Sequence, residues 1–239
     1  MNVHYSVDTV SAEVITVGAS NRYQFDRLIS LCEFLEDALA KEAGQRQIEA
    51  AQLRIQGNEE EQGFNSVAID DNLFEIERDF PRIVRYSLLK TLMSTTEACL
   101  VRLCRVARKE YNIQEDVNNR GPGVIPKAIE YLQDKVHINS SRQKSEKELL
   151  TNLIYLRNAV THADGCIDGR DDEQKIVEFA AKSSELIQIK DKTIILLDRF
   201  IAGHAHVLRT FVDGFHAKFR RKFLKRCDAN GVIVPDRGR

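Results

Sequence analysis

From Asn21 to about Gln56, apolar residues recur at spacings of three and four (Leu28, Leu31, Cys32, Leu35, Leu39), which predicts a long amphipathic helix stopped by Gly57 and the acidic run Glu59 to Glu61. The same period returns through Leu88, Leu92, Thr95, Cys99, Leu103 and Val106 to about Tyr111, and Pro81 suits the first turn of that second helix. Between them, residues 62 to 80 carry a short helix at most, around Asn72 to Glu77. Asn118, Asn119, Gly121, Pro122 and Gly123 mark a loop, and a helix of a few turns is expected from Pro126 to about Lys135. Ser145 and Glu148 have the spacing of a capping box, so the next helix is expected from near Ser145 to about Ala163, where Asp164-Gly165 closes it. Residues 171 to 182 read as a short helix, and Leu186 to Ile189 with Thr193 to Leu197 bracket Lys190-Asp191-Lys192 as a β-hairpin. The last helix, about 198 to 227, carries Phe211, Phe215, Phe219 and Phe223 at four-residue intervals, a packing seam. Residues 1 to 19, rich in Val, Thr and Ser, read as a short strand pair or a loosely attached arm.

Composition sharpens this to a compact, mostly helical protein. Of 239 residues 43% are hydrophobic, and four prolines with twelve glycines are too few for a linker-rich chain. Thirty-five Lys and Arg against 36 Asp and Glu exclude nucleic-acid binding through bulk charge, so any such contact needs a local patch. Cys32, Cys99, Cys104, Cys166 and Cys227 are scattered, with no C-x-x-C pair, which supports neither a zinc site nor a disulfide framework. The amino terminus lacks a basic start followed by an apolar stretch, and the aliphatic runs are too short to span a bilayer; the expectation is a cytoplasmic protein with no membrane contact, no metal and no cofactor.

Phosphate-loop, H-E-x-x-H, G-x-S-x-G and EF-hand spacings are absent, which removes most common enzyme classes. His204 and His206 are two apart on a helix and point in nearly opposite directions, a poor arrangement for a shared metal. The chemistry concentrates in Leu153 to Gly165. At 3.6 residues per turn Leu149, Leu153, Leu156 and Val160 form a core stripe, Asn158 and His162 share the opposite face, and Arg157 lies on the flank. A cation, an amide and an imidazole thus meet at the carboxyl end of one helix. Arg199 to His204 and Arg209 to His216 fit the same loose spacing, but neither has Asn after Arg or an Asp-Gly stop. A surface cluster in which His162 interacts with the helix dipole is the plainer alternative.

Arg157-Asn158-x-x-x-His162, set in L-R-N-x-V-x-H-x-D-G, resembles the R-x4-6-H signature of HEPN domains (higher eukaryotes and prokaryotes nucleotide-binding). The likeness covers roughly residues 80 to 227, with the hairpin as an elaboration. It implies a HEPN-like antiparallel helical bundle over 63–227, preceded by an arm and long helix over 1–62 and followed by a tail over 228–239. It further implies a metal-independent endoribonuclease whose catalytic residues Arg157, Asn158 and His162 meet at a homodimer interface, leaving 2′,3′-cyclic phosphate or 3′-phosphate ends on an RNA substrate. The corresponding biological role is a toxin or antiviral-defence effector, restrained by an antitoxin or other regulatory protein. Non-catalytic members serve as dimerisation or regulatory modules that bind a protein, nucleotide or RNA partner, and the motif alone fits either case. Arg220, Arg221 and Lys222, within a run of six Lys and Arg residues from Lys218 to Arg226, and Arg102 with Arg105 on the second helix are candidates for an RNA backbone track, against the alternative of an ordinary solvated face.

Overall fold

The structure is a computed structural model that describes residues 7–54, 66, 69–117, 121, 123–138 and 143–226. The helices are α1 (Val7–Leu53), α2 (Phe80–Tyr111), α3 (Val124–Asp134), α4 (Gln143–Ala163), α5 (Glu173–Lys182) and α6 (Phe200–Lys225), with strands β1 (Ile187–Lys190) and β2 (Thr193–Leu196) between α5 and α6. Among the described residues no helix is long and apolar enough to cross a membrane. The mostly helical class and, among the described residues, the one antiparallel hairpin agree with the sequence reading. Gly57, the acidic run after it, Cys227 and the tail lie outside the described residues.

Two compact units divide the chain: 1–27, 93–150 and 205–239 make the first, and 28–92 with 151–204 the second. α1, α2, α4 and α6 each supply residues to both.

In the first unit the expected strand pair or arm is corrected: residues 7–19 belong to α1. Val14, Val17, Asn21 and Phe25 are buried at helical spacing, so Val14 and Val17 face a helical core. Asn21 Nδ2 donates to Cys99 O (3.3 Å), His216 Nε2 lies 2.7 Å from Val14 O, and Arg22 pairs with Asp213. His216, which follows Arg209 at the same loose spacing in the sequence, is therefore a buried structural residue. The phenylalanine ladder of α6 is buried throughout, and Phe211 meets Phe215 edge to face at 5.1 Å.

One group in this unit is costly. Burial, reinforced by Glu13, pushes the Glu110 carboxyl up to about 7, and one of its oxygens is buried without a hydrogen-bond partner among the described residues. Because the folded-state pKa lies above the unfolded value, this group's contribution to stability is full below about pH 4.5 and is lost as pH rises through about 7. Glu110→Gln should therefore stabilise the protein by ~1 kcal/mol at about pH 8, a figure reduced for partial exposure, and have little effect at about pH 4. Urea midpoints of the two proteins at both pH values test this.

In the second unit the pairs Glu36 with Arg85, Gln47 with Glu77 and Arg54 with Asp70 occur in reverse order, so the second half of α1 runs antiparallel to the helix it faces. That helix differs from expectation. It does not begin at Pro81; residues 69–74 are helical and lead through a π turn, Glu75–Asp79, directly into α2. Proline has no N–H to donate and crowds the carbonyl four residues back. The widened turn, in which Phe80 N–H reaches Glu75 O, absorbs that mismatch and lets the helix continue. Leu31, placed in the α1 stripe by the sequence, is 45% exposed, while Leu28, Ile29 and Cys32 are buried. The capping box is also corrected, because α4 starts at Gln143 and Ser145 lies inside it with its hydroxyl on Glu146.

His204 is buried against Phe200, 4.3 Å between ring centroids, with Nδ1 2.6 Å from Phe200 O. Burial holds its pKa below the ordinary value. A depressed folded-state pKa means stability that is present above about pH 6.5 and lost on acidification. His204→Gln should flatten this acid-side loss, measured by urea unfolding across that range, and leave the chemistry described below nearly unchanged.

Candidate functional site

Leu150, Leu153, Leu156, Ala159 and Val160 of α4 are buried, which turns the opposite face outward; Leu149, placed in the stripe by the sequence, is half-buried and Leu150 takes its place. Asn158 is half-buried and His162 exposed on that face, with Arg157 half-buried on its flank. None of the three side chains has a hydrogen bond or ion pair among the described residues, and Arg157 Nε is buried with no acceptor. Other half-buried arginines are engaged: Arg82 with Asp164, Arg85 with Glu36, Arg102 with Ser20 and Asn21, Arg170 with Asp172, Arg209 with Asp26. A guanidinium desolvated at one nitrogen and left without an anion is costly in an isolated chain and suited to receiving one.

The end of α4 is built with care. Asp164 and Gly165 both have positive φ, +48° and +83°, and Gly165 N–H returns to Ala159 O at 3.1 Å. The chain then pairs with the hairpin: Ile194 N–H donates to Gly165 O (3.0 Å) and Ile167 N–H to Lys192 O (2.9 Å). Strands β1 and β2 are joined by Asp191 and Lys192, both at positive φ, as a tight two-residue turn requires. From α2, Tyr86 donates its hydroxyl to Ile194 O (2.6 Å), and Arg82 holds Asp164 at 2.6 Å. Burial pushes the Tyr86 phenol up to about 12, so it is a donor and not a base. The hairpin, read from sequence as an elaboration, thus fixes the chain just past His162.

Two residues join this face that the sequence reading missed. Tyr155 is three positions before Asn158 and seven before His162, on the same side of the helix, and its half-burial agrees. Lys175 of α5 donates to the Tyr155 hydroxyl at 3.2 Å and lies over its ring. The spacing of Tyr155 was visible in the sequence; the approach of Lys175 needed the fold.

The RNA-track candidates belong to the first unit. Arg102 is half-buried and bonded to Ser20 and Asn21, and Lys222 donates to Val136 O (2.7 Å), so both serve the fold. Arg105, Arg220 and Arg221 are exposed. Cys32 and Cys99 are pushed up to about 11 and Cys104 to about 12, all by burial, which removes them as nucleophiles at neutral pH. Among the described residues no group of three or more His, Cys, Asp or Glu side chains is placed to hold a metal.

Comparison with family models, curated proteins and solved structures returns no match. The fold and site define a helical protein that presents an unengaged Arg, Asn and His set on one helix.

Proposed function

We propose that this protein is a metal-independent endoribonuclease of HEPN type, acting in the cytoplasm as a homodimer whose active cleft is formed by two copies of α4. The observation that carries the reading is Arg157, desolvated at Nε and without an anion, beside the partnerless Asn158 and His162. In this mechanism one imidazole removes the ribose 2′-hydroxyl proton as the oxygen attacks phosphorus. The P–O5′ bond then breaks as a second, protonated imidazole delivers its proton to O5′. Arg157 neutralises the added negative charge of the phosphorane through its fork of donors, and Asn158 orients phosphate or ring. The products are a 2′,3′-cyclic phosphate, which water opens to a 3′-phosphate, and a 5′-hydroxyl.

One histidine is a poor complete acid-base pair, and a two-fold axis beside α4 supplies the second. Phe80 and Ile83, on α2 beside the Arg82 that holds Asp164, are 41% and 55% exposed and offer apolar surface for such an interface. The test is cleavage of RNA by purified protein in excess EDTA, with the new ends analysed. Activity abolished by EDTA, or 3′-hydroxyl ends, would contradict the mechanism.

A further inference from the structure

In the second unit, α1, the π turn and the start of α6 border an open cleft of about 800 Å³. Its floor is apolar, formed by Leu39, Ala40, Ala43, Ile76 and Ile201. Carboxylates line its rim: Glu33 and Asp37 from α1, Glu77 from the π turn and Asp198 before α6.

The charge of this rim is poorly compensated. Arg85, in the cleft wall, is committed to Glu36 through two hydrogen bonds of 2.8 and 2.6 Å and to Leu196 O. Arg199, 87% exposed, comes only within 3.9 Å of Asp198. Glu77 accepts from the neutral Gln47 amide at 2.7 Å. Glu33 and Asp37, one turn apart, have no ion pair among the described residues, although Glu42 and Glu49 further along α1 both pair with Arg46. Like charges four apart on a helix destabilise it, so the pair brings nothing to the fold itself.

We propose that this cleft binds an aliphatic oligoamine, a chain of methylene groups interrupted by ammonium ions. The α1 wall from Cys32 to Ala43 rises roughly 16 Å, close to the length of an extended tetraamine and longer than a triamine. Methylenes cover the apolar floor while ammoniums meet the rim carboxylates, so one ligand satisfies both surfaces. A bare metal ion would leave the floor in water, and a neutral ligand would leave the acids uncompensated. Small-molecule sites span about 300–1,000 Å³, the range in which this cleft falls. The inference stands independently of the nuclease reading.

Isothermal titration of the 239-residue chain with spermidine at low salt tests it. Saturable one-to-one binding with a micromolar Kd is expected, weaker for the shorter putrescine and weaker again as salt is raised. Glu33→Gln with Asp37→Asn should weaken binding about tenfold or more. Ala40→Leu, a helix-compatible change at an exposed position, fills the floor without altering charge and should abolish it, with circular dichroism showing an intact fold. Absence of saturable binding below about 1 mM would overturn the proposal. So would displacement of spermidine by an equal concentration of Mg²⁺, or an unchanged affinity in Ala40→Leu.

Discussion

RNA cleavage is expected to fall by a factor of about a hundred to a thousand or more when His162 or Arg157 is replaced by alanine, with helicity and assembly unchanged. His162 is exposed and Arg157 half-buried with no partner, so neither replacement removes a contact on which the fold depends. Arg157→Lys should recover only part of the loss, because an ammonium lacks the planar fork that grips two phosphate oxygens. Cleavage by the wild-type protein should survive chelation and decline on dilution below the concentration at which the dimer dissociates. Mixed dimers, with Arg157→Ala in one subunit and His162→Ala in the other, should differ from both parents, since a shared cleft then retains one of each group. A monomer that cuts RNA at full rate would end the composite-site idea. A stable dimer inert toward every RNA would favour a non-catalytic module.

Gly165→Ala should be among the most damaging substitutions at this end of the molecule. Gly165 has φ +83°, and a Cβ there would overlap the Tyr86 hydroxyl and lie 2.7 Å from its Cζ. Tyr86 cannot withdraw freely, because it is buried and its hydroxyl is bonded to Ile194 O. Positive φ for a residue with a side chain costs about 1–2 kcal/mol and forced overlap in a packed region about 1–3 kcal/mol, so a loss near 3 kcal/mol is expected. Denaturant unfolding reads that loss directly. Tyr86→Phe with Gly165→Ala should recover part of it, because removing the hydroxyl clears the nearest atom at the cost of one buried hydrogen bond.

Much of this architecture was legible without coordinates where a local signal and the tertiary environment agree. The stripe of α4, the phenylalanine ladder of α6 and the hairpin turn at Asp191-Lys192 are such cases. The amino-terminal helix was misread because Val and Thr have weak helix propensity, although Val14, Val17, Asn21 and Phe25 already carried the helical period. Pro81 misled in the same way: proline usually marks a helix start, and the π turn that accommodates it inside a helix has no comparable sequence signature.

At the site, the sequence by itself determined that Asn158 and His162 share a face away from the α4 core and that Asp164-Gly165 ends the helix beside them. Periodicity and stop signals are local, acting over one or two turns. Only the tertiary structure decided that Arg157 Nε is buried without an acceptor, that Arg102 is spent on Ser20 and Asn21, and that Lys175 meets Tyr155. The same holds for Tyr86 and Arg82, which secure the end of α4 through Ile194 and Asp164 from more than 75 residues away along the chain. Burial and pairing depend on which segments meet, and that is set by packing across the whole unit.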